Sequence, residues 1–148
     1  MIKKITLAVL FFILLSSCNY KPIYSSKNLN FSLGKIETAG DAKINKLIVK
    51  ELEIYKNNET AKVIYDLDIT SDINKRTVSK DKKGNPTVFA LEISYTIKAK
   101  NNLKVFKENT IYDNDENKFN LKRYESSIKK NMIRDLSEKI VLYLQELN

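Results

Sequence analysis

Cys18 is the only cysteine in this chain, and there is no histidine at all. A lone thiol in an exported protein has no disulfide partner within the chain, and leaving it free would be a liability. The lack of histidine removes Ser–His and Cys–His nucleophile pairs and His-rich zinc sites. With one cysteine, thiolate metal sites go too. The three glycines, Gly34, Gly40 and Gly84, have no phosphate-loop spacing. The densest acidic group is Asp113, Asp115 and Glu116, alternating with asparagines between Tyr112 and Asn117. A calcium loop needs further ordered ligands and a glycine turn, so this stretch reads as a polar loop leading into a helix. No enzyme, metal or cofactor is expected. The remaining candidates are cationic. Lys75, Arg76, Lys80, Lys82 and Lys83 gather around one turn, where lysines hold phosphate as point charges. Lys98, Lys100, Lys104 and Lys107 form a second set around the next turn.

The segment that presents Cys18 explains it. Met1 to Lys4 is a short basic start, and Ile5 to Leu15 is apolar except for Thr6. That run is shorter than the ~20 residues a spanning helix needs and fits the core of a secretory signal. It closes as Leu14-Leu15-Ser16-Ser17-Cys18, which resembles the lipobox of bacterial lipoproteins. The resemblance implies that residues 1–17 are a signal peptide and that Cys18 is lipidated as the first mature residue. Each buried methylene adds ~0.8 kcal/mol of membrane affinity, so two or more acyl chains hold the protein at a bilayer. Asn19 is not the aspartate of the inner-membrane retention signal in enteric bacteria, which points to the outer membrane.

The net charge is +8, of which Lys3 and Lys4 supply two. Nucleic acid is not the expected partner. An exported lipoprotein does not meet chromosomal DNA, and the basic residues are 23 lysines against 3 arginines, although arginine is the residue favoured for base contacts.

After a linker to Asn30, the remaining chain reads as one domain over 31–148. Phe31 to Ile36 predicts a strand that slips register around Gly34. Asp41 predicts a helix N-cap, and Ile44, Leu47, Ile48, Leu52 and Tyr55 recur at helical spacing. Val63, Tyr65, Leu67, Ile69 and Ile73 alternate with Asp66, Asp68, Thr70 and Asp72, as do Phe89 to Ala99 with their polar neighbours. Such alternation predicts strands with one buried and one wet face. Turns fall at Asp81–Pro86 and Asn101–Asn102, a third strand spans Val105 to Tyr112, and Leu121, Tyr124, Ile128, Met132, Leu136, Ile140, Leu144 and Leu147 form a long helical stripe. The order β-α-β-β-β-α predicts an α+β two-layer sandwich, with two helices on one face of a four-stranded mixed sheet.

Cys18-Asn-Tyr-Lys-Pro-Ile-Tyr24 resembles the Cys-Gly-Phe-x-Pro-Leu-Tyr opening of LptE-type LPS-assembly lipoproteins, especially the alphaproteobacterial branch. Asn19 replaces glycine, and Tyr20 and Ile23 are conservative changes. Tyr124 to Ile140 is similar to that family's last helix, with Glu125 near its start, Arg134 at its centre and a closing isoleucine. The resemblance implies an LptD-type β-barrel partner whose lumen the domain plugs, and lipopolysaccharide as cargo. It also turns the Lys75–Lys83 cluster into a candidate LPS site. The alternative reading is a stand-alone envelope lipoprotein that binds an anionic ligand through the same cluster.

Overall fold

The computed structural model describes residues 29–147. The expected signal peptide over residues 1–17 and the expected lipidation site Cys18 lie outside them. The elements are β1 (Phe31–Gly40), α1 (Ala42–Leu52), β2 (Val63–Lys80), β3 (Pro86–Ala99), β4 (Asn102–Asp113) and α2 (Lys118–Glu146), and a single 3₁₀ turn (Glu53–Tyr55) follows α1. The sheet order is β1-β2-β3-β4. β1 is parallel to β2, and the other two pairings are antiparallel. This is the expected α+β sandwich of two helices and a four-stranded mixed sheet.

The alternation drives the packing. Tyr65, Leu67 and Ile69 of β2 and Leu91, Ile93, Tyr95 and Ile97 of β3 are buried against Ile44, Ile48 and Leu52 of α1 and Met132, Ile133, Leu136, Ile140 and Leu144 of α2. Each such apolar side chain contributes about 1.5–3 kcal/mol by leaving water. On the other face Asp66, Asp68 and Thr70 are exposed and Glu92, Ser94 and Thr96 half-exposed. Tyr95 reaches through the core, and its hydroxyl donates to Ile44 O at 3.0 Å. Burial, aided by the charge of Asp41, holds that phenol well above its usual pKa, so it remains a donor.

The slip around Gly34 is a bulge in which Gly34 and Lys35 oppose the single residue Asp66. The Lys35 N–H donates to Asp66 Oδ1 at 2.7 Å, which satisfies the amide the bulge frees. A Cβ on Gly34 would lie 2.3 Å from that oxygen.

β1 ends where the chain turns over onto the sheet. Gly40 has φ +94° and lies against the Ser71 backbone. Asp41 then caps α1, its Oδ1 accepting from Lys43 N at 2.9 Å and Ile44 N at 3.0 Å. Those bonds, the Ile44 one foremost, hold its carboxyl below the usual range. Ser71 Oγ and Asn45 Nδ2 both donate to Ala39 O, fixing the corner from the neighbouring strand and the helix.

Three details add to or differ from expectation. β2 runs on to Lys80, past the alternation readable to Ile73, because its pairing with β3 continues to Pro86. β4 begins at Asn102, three residues early. Tyr124, placed in the apolar stripe by its spacing, is 55% exposed and meets Tyr112 only edge-on.

Gly40→Ala combines a left-handed φ with a Cβ 2.0 Å from Ser71 O. We expect it to destabilise the domain by about 3 kcal/mol in urea unfolding, whereas Gly84→Ala, which meets nothing within 4 Å, costs about 1 kcal/mol.

Candidate functional site

The cationic candidates sit at the free end of the β2–β3 hairpin, and local chemistry shapes that end. Asp81 Oδ1 accepts the amides of Lys83 and Asn85, each at 2.8 Å, and Oδ2 accepts Asn85 Nδ2 at 3.0 Å. These bonds, led by the Asn85 side chain, keep the Asp81 carboxyl below its usual range. Gly84 takes φ +85°, and its N–H donates to Asp81 O. The loop is thus tied through aspartate, leaving its lysines outside.

The five candidates do not form one cluster. Lys80, Lys82 and Lys83 are exposed at the tip and, among the described residues, have no ion pair. Arg76 lies further down β2 on the helix-free face, at the rim of a shallow 170 Å³ hollow shared with Asn74, Glu92, Asn109 and Ile111. Lys75, one residue before it, faces the helices. Its Nζ lies 2.5 Å from Glu125 Oε1 and 3.9 Å from the centre of the Phe89 ring. The Tyr112 hydroxyl donates to the same Glu125 oxygen at 2.8 Å.

This polar cluster replaces apolar core beneath the first half of α2. Burial alone would raise the Glu125 pKa. The hydrogen bonds from Lys75 and Tyr112 and the charges of Lys75 and Lys129 outweigh it and hold the carboxyl below its usual value. Tyr112 moves the other way, pushed above the usual phenol range by burial and by its bond to Glu125. Chemically, then, Lys75 is a strut between hairpin and helix, and the tip lysines are the groups open to an anion. The signal for this was the alternation itself. Lys75 continues the odd-numbered series Val63 to Ile73, whose side chains face the helices.

The second lysine set also divides. It surrounds the β3–β4 turn, at the opposite end of the sheet. Lys100 sits in the turn with φ +53°, its Nζ 4.7 Å from the Tyr65 ring centre, and Lys107 lies 3.9 Å from Glu92. The acidic stretch is a loop into a helix, as expected: Asp115 Oδ1 accepts Asn117 N, and Asn117 caps α2 through Phe119 N and Asn120 N. Among the described residues no three His, Cys, Asp or Glu side chains gather for a metal, and no helix is long and apolar enough to cross a membrane.

No protein-family model matches the chain, and no curated protein matches it in sequence. Solved structures do. The rare lipoprotein B of Shewanella oneidensis matches at TM-score 0.54 and 13% identity, over 77% of this chain and 96% of that one. A lipoprotein B of Nitrosomonas europaea matches at 0.58 and 15%, over 87% and 92%. A minor lipoprotein of Acinetobacter baumannii matches at 0.56 and 14%, over 76% and 92%. What these likenesses establish is a common fold.

The Glu125 cluster has a measurable signature. A carboxyl held below its usual pKa adds stability that is present above the ordinary carboxylate range and is lost as pH falls through the folded value. We expect Glu125→Gln to cost about 1 kcal/mol near neutral pH. In denaturant titrations the difference from the parent should shrink as pH falls from the ordinary carboxylate range through the lowered folded value.

Proposed function

We propose that this chain is an envelope lipoprotein, anchored through Cys18 to the outer membrane, that assembles with a large β-barrel protein of the LptD type. In this reading it plugs the barrel lumen and assists lipopolysaccharide delivery without catalysing a reaction. The observation that carries the proposal is the shared fold: it spans at least 92% of three solved proteins that are each called lipoproteins. The sequence adds the lipobox-like stretch ending at Cys18.

The surface supports it. A barrel lumen is polar, and the helix-free face carries Asp66, Asp68, Thr70, Glu92, Ser94 and Thr96, so the domain fits there without an apolar lining. In this reading the tip lysines Lys80, Lys82 and Lys83, exposed and unpaired among the described residues, would meet the phosphates of lipid A. The same observation favours one other reading, a stand-alone lipoprotein that holds an anionic envelope ligand at this tip.

Pull-down from detergent-solubilised envelopes, with a tag after Asn148, separates the two. Stoichiometric recovery of a large β-barrel protein is expected. Recovery of the lipoprotein alone, in detergents that preserve other barrel complexes, would move the assignment to the stand-alone binder. Cys18→Ala should abolish fatty-acid labelling and release the protein from membranes. Lys82→Glu/Lys83→Glu should weaken binding to purified lipopolysaccharide about tenfold at low salt, with less effect at high salt.

A further inference from the structure

The free edge of β1 opens into a cleft of 760 Å³ between its last residues and the outer flank of α1, lined by Thr38, Ala39, Asn45, Lys46, Val49 and Lys50 among others. Three observations bear on what belongs there. First, β1 is the outermost strand, and beyond the isolated bridge of Leu33 to Lys56 its outer side pairs with no strand among the described residues. The first half of the strand is guarded by the Gly34–Lys35 bulge and the Lys35–Glu37 ion pair, devices that discourage strand addition. Thr38 to Gly40, which line the cleft and are exposed, carry no such device.

Second, Asn45 is 6% exposed, and its side chain stands in the cleft wall. Nδ2 donates to Ala39 O at 3.0 Å, while Oδ1 is buried with no donor among the described residues. A buried acceptor left unmatched is rare in folded proteins, and it waits here beside an open strand edge. Third, the cleft is electropositive on the helix side. Lys46 and Lys50 lie one turn apart on α1, both exposed and, among the described residues, without an ion pair, against a single lining carboxylate, Glu53.

We propose that this cleft receives an extended, acidic segment of a partner protein, added as a fifth strand along β1. Backbone amides and carbonyls of the guest would pair with the open edge at Thr38–Gly40. Side chains on its inward face would pack on Ala42 and Val49. One hydroxyl or amide donor would satisfy Asn45 Oδ1, and Asp or Glu side chains would meet Lys46 and Lys50. A small ligand could answer the orphan acceptor but would leave the strand edge open, which is why the guest is a peptide.

The test uses the full chain in its native cells, with a photo-crosslinking amino acid at Thr38. The expected adduct maps by mass spectrometry to one segment of another protein, carrying Asp or Glu among β-forming residues. Its yield should fall at least fivefold with Lys46→Glu/Lys50→Glu and persist with Lys46→Arg/Lys50→Arg, at equal protein level and unchanged circular dichroism. The proposal is overturned by no adduct, by an adduct to the chain's own residues before Leu29, by an adduct to a second copy of the chain, or by one that survives charge reversal.

Discussion

The corner at Gly40 governs this molecule. β1 stops there after ten residues, while its neighbour β2 continues for eighteen. A left-handed residue pressed against the Ser71 backbone turns the chain over the sheet, and Asp41 at once caps the helix that follows. α1 therefore lies only over the half of the sheet where β1 is present. The other half has only β2, β3 and β4, with the first half of α2 to cover it. Two interior environments follow from this one corner.

Under both helices the interior is apolar, and burial holds it together. Beyond the end of β1, too little apolar surface is available to close the layer. The inward positions there include Lys75, Thr77 and Thr110, beside the larger Leu91, Phe89 and Tyr112. The structure answers with an ion pair, a phenol donor and an aromatic face around a single carboxylate. Lys75 remains 38% exposed, so solvent screens the pair, and its contribution lies more in positioning than in energy. It sets the hairpin against α2 and so decides where the tip lysines project.

Period-two and helical patterns were legible wherever burial was simple. The alternations of β2 and β3, the stripe of α2, the Asp41 cap and the slip at Gly34 all followed from residue type and spacing. The odd-numbered parity carries on to Lys75 but its apolar character does not, because the inward neighbour changes from apolar core to Glu125, and hydropathy does not report an ion pair 50 residues away. β4 was blurred for a related reason. Leu103, Val105 and Ile111 point away from the helices and are exposed, whereas Glu108 points toward them and meets Lys139. The cleft beside β1 left no trace in the chain, since an unpaired strand edge and an orphan amide oxygen exist only once the sheet has formed.

The helix-free face shows what surroundings the domain tolerates. An antiparallel sheet with one open face keeps it polar when that face meets water or a hydrated wall. Here the centre of the face is carboxylates, hydroxyls and a few cations, and the exposed apolar residues Ile64, Leu103, Val105 and Ile111 lie on its flanks. Leu103 and Val105 are neighbours on one face of β4, and Ile64 and Ile111 stand apart from them, none of the four pairing across the sheet with another. Water or a hydrated neighbour suits this face, because its polar middle keeps its hydrogen bonds in either setting.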